Sequence, residues 1–237
     1  MNLIIHDLRE PLSIVSASVA NLLHKADRYG PLTDKQRYIL ERVSRNIQRS
    51  QSFLQEMIEI SRSEEGLFIK EPFLIENTLR ESVLDSLEIT APNIAEKLLR
   101  VENDEKFQQT LKTQGIFVKL SGNYAKMPFC HDQKKIRQIL RNLLSNALKH
   151  YRKRIDVSIS GETDLLISIE DDGLGIPLIE QENIFRRLVR MHDKKRNHMP
   201  GLGLTGVKAL VEAMGGKITL VSHEGRGTCF KIQIPPL

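Results

Sequence analysis

The chain has 237 residues, enough for one large domain or two small ones, and 40% apolar with 27% charged side chains is an ordinary globular composition that excludes disorder as the main state. No run approaches the roughly 18 to 20 consecutive apolar residues of a membrane-spanning helix, the N-terminus carries no signal-peptide pattern, and Cys130 and Cys229 stand far apart without C-x-x-C spacing, so a disulfide framework and a structural zinc site are excluded and a reducing cytoplasm fits. The net charge of +5, from 35 basic and 30 acidic residues, is too mild to argue for nucleic acid.

From Ile5 the apolar residues Ile5, Leu8, Leu12, Val15, Val19 and Leu22 follow a three-four spacing, the seam of a helix that packs on other helices. The pattern stops at Asp27-Arg28-Tyr29-Gly30-Pro31 and restarts after Thr33, which with Gln36 spells a capping box. The second helix keeps the register through Leu40, Val43, Ile47, Leu54 and Met57 and stops at Gly66. Residues 1–65 thus read as a helical hairpin. Each helix buries one stripe only, so the hairpin is expected to pair with a second copy into four helices.

After Gly66 the period changes. Leu67–Phe73 reads as a strand, and Asn77 to about Gln114 as helical with a break at Pro92. Strands are expected over Ile116–Leu120 and near Met127–Cys130, then a strong helix over Asp132–His150 and alternating strands over Ile155–Ser160 and Leu165–Glu170. An irregular basic stretch precedes a helix over Leu204–Met214 and strands at Lys217–Ser222 and Thr228–Ile234. Residues 66–237 therefore read as a mixed helix and sheet domain, and the whole chain as α+β.

Asn142, Asn146 and Lys149 project from one face of their helix. Amide oxygens can ligate a hard cation, and a lysine beside them can neutralise phosphate, which suits a metal-bound triphosphate. The strand ending at Glu170 runs into Asp171-Asp172-Gly173-Leu174-Gly175-Ile176. A carboxylate there can accept from an exocyclic amine while glycines let backbone approach a flat base. Gly201-Leu202-Gly203-Leu204 opens a helix whose free N–H groups favour phosphate, and Gly225-Arg226-Gly227-Thr228 turns into the last strand.

In this order, the asparagine helix, D-x-G-x-G, a basic loop with Ile184-Phe185-Arg186-Arg187, G-x-G-L and G-x-G-T resemble the boxes of sensor histidine kinases of two-component signalling. His6-Asp7-Leu8-Arg9-Glu10-Pro11-Leu12 is similar to that family's phosphoacceptor motif. The resemblance implies a dimerisation and histidine-phosphotransfer hairpin over 1–65 that forms a dimeric four-helix bundle. A two-layer α/β sandwich of the Bergerat type, shared with DNA gyrase, would follow over 66–237 as the catalytic ATP-binding domain. It implies a kinase that takes the γ-phosphoryl of ATP onto His6, with Asp7 orienting the ring, and passes it to the receiver domain of a response regulator. Mg2+ would be held by Asn146 with Asn142 in support. The nucleotide set would be Asn142, Asn146, Lys149, His150, Asp171 for the adenine amine, Gly173, Gly175, Ile176, Arg187 and Arg190 from a basic lid, Gly201, Leu202, Gly203, Leu204 and Thr228. The chain starts five residues before His6, so an upstream sensory module, and with it any membrane attachment, is expected to lie outside it.

Four features depart from the family pattern. Glu10 stands where threonine or asparagine usually orients water for dephosphorylation, His198-Met199-Pro200 replaces common glycines, His150 replaces a frequent aromatic, and residues 95–114 look like an insertion. Two rivals fail on context. Gly201-Leu202-Gly203-Leu204-Thr205-Gly206 matches the dinucleotide fingerprint but follows a polar, basic stretch instead of a strand, and no Walker-type P-loop is present. The basic lid carries no interleaved aromatics, so no nucleic-acid partner is expected. A dimeric scaffold of the same fold that lacks catalysis is the alternative, and labelled ATP separates it from the kinase.

Overall fold

The computed structural model describes residues 2–64, 68–101, 103–185 and 203–237; within them, side chains of residues 2–9, 55–64 and some other helical positions are outside the description. The chain divides into two compact units, residues 1–65 and residues 66–237. Among the described residues no helix is long and apolar enough to cross a membrane.

The first unit consists of α1 (Asn2–His24), the short α2 (Ala26–Tyr29) and α3 (Asp34–Glu64), with α1 packed on α3. Helix α1 runs through Pro11. The capping box forms: Thr33 N–H donates to Gln36 Oε1 (2.9 Å) and Gln36 N–H to Thr33 Oγ1 (3.3 Å), which satisfies two of the donors a helix start leaves free. Of the heptad seam, Val19, Ile47 and Leu54 are buried, whereas Val15 and Val43 stay 46% and 37% exposed beside exposed Ile14 and Ile39. One hairpin therefore leaves part of its apolar stripe uncovered.

The second unit is a five-stranded sheet with helices on one face. Its order is β2 (Ile116–Leu120), β4 (Ile155–Ser160), β5 (Leu165–Asp171), β7 (Gly227–Ile234) and β6 (Lys217–His223), with β2 and β4 parallel and the remaining pairs antiparallel. Strands β4 and β5 alternate buried and more exposed residues, the period of a sheet covered on one side. The covering layer is α4 (Ile75–Thr90), α7 (Gln133–His150) and α9 (Gly203–Ala213), with α7 packed on α4, on α9 and on β5. A short ribbon joins β1 (Glu71–Phe73) to β3 (Phe129–His131).

Helix α4 meets α7 along Thr78, Ser82 and Ser86, all fully buried and one turn apart. Their small size lets the backbones approach: Ser82 Oγ lies 3.5 Å from the Arg137 carbonyl and Ser86 Oγ 3.4 Å from that of Arg141. At the rim Arg137 grips both oxygens of Asp85 at 2.9 Å and Glu81 at 2.6 Å. The apolar contact and this fork fix α7, the helix that carries the asparagines.

Two expectations are corrected. Of the strand expected over 67–73, the described residues 68–73 form strand only at Glu71–Phe73, and the Ile69 N–H is taken instead by Asp132 Oδ2 (3.1 Å). The helical stretch 77–114 becomes α4, α5 (Pro92–Leu99) and α6 (Asp104–Thr113). Pro92 opens α5 as anticipated, but a second break follows at 100–103, where the Asn103 side chain accepts from Glu105 N–H (2.8 Å) and Lys106 N–H (3.3 Å). The apparent insertion serves the core: Ala95, Leu98, Phe107 and Leu111 are buried with it, and Arg80 stacks over Phe107 at 4.1 Å while pairing with Asp104. Helix α8 (Leu178–Ile184) lies at the head of the stretch read as irregular.

Candidate functional site

The register of the sheet shows where its apolar inner face ends. Side by side across β2, β4, β5, β7 and β6 lie Leu120, Ile159, Ile167, Ile232 and Ile218, and then Val118, Val157, Ile169, Phe230 and Leu220. The next inward row is Ile116, Ile155, Asp171, Thr228 and Ser222. Half the sheet therefore finishes its buried face with three polar side chains in line, at 4%, 6% and 6% exposure respectively. Strand periodicity aims Asp171 into the layer: Leu165, Ile167 and Ile169 point inward, and Asp171 is the next position of the same phase.

Burial pushes the Asp171 carboxyl above its ordinary range; Gly173 N–H, donating to Oδ1 at 2.9 Å, and the nearby His150 pull the other way. Among the described residues only that N–H bonds the carboxylate, so its second oxygen can accept from a ligand amine. A Cβ at Gly173 would lie 2.4 Å from the His150 carbonyl oxygen and 2.6 Å from Asp171 Oδ1, so only glycine fits. His150 thus enters the site by its backbone, its side chain being exposed. Gly175, at φ +69°, also passes its backbone under the His223 carbonyl, 2.0 Å from where a Cβ would sit.

Ser222, absent from the sequence expectations, joins these parts. Its hydroxyl donates to the Gly227 carbonyl (2.9 Å), accepts from Ile176 N–H (2.8 Å) and lies 3.0 Å from Thr228 Oγ1. Gln181 Nε2 on α8 donates to the carbonyls of Ile176 (2.7 Å) and Ser222 (2.9 Å). The loop after Asp171 is thereby fastened to the β6–β7 hairpin, and Ile176 and Thr228 with it. The only signal in the sequence was that a serine falls on the inward phase of an otherwise apolar strand.

On α7 the buried strip is Ile136, Ile139, Leu140, Leu143, Leu144 and Ala147. At 100° per residue Asn142, Asn146 and Lys149 project within about 60° of one another, roughly a third of a turn from the strip that meets α4. Both asparagines are half-buried and Lys149 is exposed. Among the described residues no group of three or more His, Cys, Asp or Glu could hold a metal ion. Gly203 and Leu204 open α9, with open space around Gly203. Arg187, Arg190, Gly201 and Leu202 lie outside the described residues, as do the side chains of His6 and Asp7, whose backbone is in α1.

Two family models match the chain: "His Kinase A (phospho-acceptor) domain" over residues 3–66 and "Histidine kinase-, DNA gyrase B-, and HSP90-like ATPase" over residues 131–237. The circadian input-output histidine kinase CikA of Synechococcus elongatus is 29% identical over 235 residues, covering 97% of this chain and 29% of that protein. The adaptive-response sensory-kinase SasA of Prochlorococcus marinus subsp. pastoris is 27% identical over 241 residues, covering 99% of this chain and 57% of its own length. The chain thus spans well under two thirds of either relative. Among solved structures, full-length ShkA in complex with AMPPNP shares the fold with a TM-score of 0.67 at 22% identity, over 99% of this chain and 45% of that one.

Proposed function

The chain belongs to the sensor histidine kinases of two-component signalling, and from that premise we propose that it is an ATP-dependent autokinase that phosphorylates His6 and passes the phosphoryl group to an aspartate of a response regulator. The observation that carries this reading is the buried Asp171 at the end of the inward row, facing a loop whose Gly173 leaves room for no side chain. A carboxylate withdrawn from water with one engaged oxygen is suited to a flat base bearing an amine.

In this proposal Asp171 accepts from the adenine amine, and Gly173, Gly175 and Ile176 form the backbone wall beside the base. Thr228, fixed by Ser222, stands beside Asp171 in the row. Asn146, with Asn142 one turn earlier, offers amide oxygens to magnesium, and Lys149 on the same face meets phosphate oxygens. Magnesium, when bound, neutralises charge on the phosphates and holds them in line. Arg187 and Arg190, with Gly201 and Leu202, would contribute from the lid and Gly203 and Leu204 from the start of α9. A neutral nitrogen of the His6 ring attacks the terminal phosphorus, the bond from that phosphorus to the β,γ-bridging oxygen breaks and ADP leaves, while Asp7 holds the proton on the other nitrogen.

The division of labour follows: residues 1–65 as dimerisation and phosphotransfer hairpin, 66–237 as catalytic domain. The exposed seam residues Val15 and Val43 support a homodimer, since a second hairpin can cover them. Incubation with γ-labelled ATP and magnesium tests the reading. The expected result is an acid-labile, base-stable label on the chain that is lost in His6→Gln; an unlabelled native chain, or label retained by His6→Gln, would overturn it.

A further inference from the structure

The chain leaves α3 at Glu64 and enters the α/β unit through a segment whose described part begins at Phe68. Among the described residues its Ile69 N–H is held by a side chain that also serves α7. Asp132, 3% exposed, uses its two carboxylate oxygens separately: Oδ1 accepts from Lys135 N–H at 3.2 Å and caps α7, while Oδ2 accepts from Ile69 N–H at 3.1 Å. We propose that Asp132 is a positioning residue, a latch that ties the chain arriving from the hairpin to the first turn of the helix bearing Asn142 and Asn146.

The surroundings make the latch reversible. Next to it His131 is fully buried, and its Nδ1 accepts from Asp132 N–H at 2.8 Å. The neutral ring must then carry its proton on Nε2, and that atom has no hydrogen-bond partner among the described residues. The Phe68 ring meets the His131 ring edge-on with centroids 5.7 Å apart, and the Phe129 ring stacks on it at 5.9 Å. Closing Phe68 over His131 keeps a buried donor unmet, whereas lifting Phe68 gives that donor water. The corner is thus held by the Asp132 bonds against an opposing cost, and in this proposal nucleotide and hairpin bias that balance from its two ends. Strand β1, paired with β3 through Glu71↔His131, stays as the permanent anchor just beyond.

The consequence rests on the kinase reading. Phosphoryl transfer needs the hairpin's imidazole and the nucleotide helix in one geometry, and a segment fastened to that helix transmits displacement in both directions. Loss of the latch should therefore slow transfer more than it weakens nucleotide binding.

The test uses the full chain and Asp132→Asn. Asparagine caps helices as well as aspartate, but its amide presents one acceptor oxygen and an NH2, so it retains the Lys135 bond and loses the Ile69 bond. Hydrogen exchange at Ile69 should accelerate about tenfold, the scale of one hydrogen bond to a charged acceptor, with Lys135 unchanged. In the native chain Mg·AMPPNP should slow exchange at Ile69, and in Asp132→Asn it should not. The single-turnover phosphorylation rate should fall about fivefold or more while the KM for ATP stays within about twofold. Ile69→Pro, which removes the same N–H, should reproduce the rate loss, and the double variant should add nothing further. Independent, multiplying losses, a KM that rises in step with the rate loss, or an Ile69 amide indifferent to both variant and nucleotide would overturn the latch. The exchange arm decides it even if no phosphohistidine forms, an outcome that refutes the kinase reading instead.

Discussion

Replacing Asp171 by asparagine tests the site with almost no change of shape. The amide oxygen can still accept from Gly173 N–H, now at 2.9 Å from Oδ1. The other oxygen becomes an NH2 facing the ligand's amine, so an accepting contact turns into two opposed donors. Losing a hydrogen bond to a charged acceptor costs about 1–3 kcal/mol, which is about fivefold to 150-fold in Kd for ATP. Calorimetry with ATP and with an inosine nucleotide, which carries a carbonyl oxygen in place of the exocyclic amine, isolates this contact: the native chain should prefer ATP and Asp171→Asn should lose or reverse that preference. Stability should move the other way. Burial raises the Asp171 pKa above the ordinary carboxylate range, so between the unfolded and folded values the native state binds the extra proton. Its stability then falls as pH rises through the folded pKa, and the penalty is fully present above that value. Asp171→Asn removes that penalty, so the nucleotide-free variant should melt no lower than the native chain near pH 7, with any advantage vanishing in acid below the unfolded pKa. Acidification should also weaken ATP binding at a higher pH than an ordinary aspartate would dictate. A variant that melts lower while keeping its preference for ATP would refute the role given to Asp171.

Two further outcomes are expected. Ser86→Leu inserts a branched side chain where α4 and α7 approach through fully buried serines; overpacking of about 1–3 kcal/mol should lower the melting midpoint by about 2–12 °C in a unit of this size, and an unchanged midpoint would show that the close approach is not required. Glu10, exposed on α1 one turn after His6, places a carboxylate where a phosphoryl group would sit during dephosphorylation. The chain should therefore remove label from a phosphorylated regulator slowly, and Glu10→Thr should speed this; rapid loss with the native chain, undiminished by Glu10→Ala, would contradict the electrostatic argument.

Much of this was legible because it is periodic or local. The α7 strip, the alternation of β4 and β5 and the Thr33/Gln36 box each depend on residues within a turn or two of one another. Even the inward phase of Asp171 follows from counting in twos from Leu165. The second break in 77–114 was also local, since Asn103-Asp104-Glu105 is a helix start, but the apolar residues on either side masked it. Ser222 could not be found this way. Its importance lies in standing across from Thr228, itself across from Asp171, and that register joins the β6–β7 hairpin to β5, which lies far upstream in the chain. The same is true of Asp132, whose capping role is local while its hold on Ile69 spans 63 positions.

The polar row also accounts for the proposed site at this end of the sheet. An inner face that ended on another apolar row would be better packed, but it would leave nothing to recognise a base. Asp171, Thr228 and Ser222 occupy positions where aliphatic side chains would contribute burial, and two of the three satisfy one another. Asp171 alone keeps an oxygen without a partner among the described residues, and burial holds its carboxyl above the ordinary range. A group held in an unfavourable state by the fold, and relieved by a donor the fold does not provide, marks where a ligand stabilises the protein. The serine and threonine beside it keep that state local by fixing the loop through Ile176 and Gly227, so the cost falls on one side chain and not on the sheet.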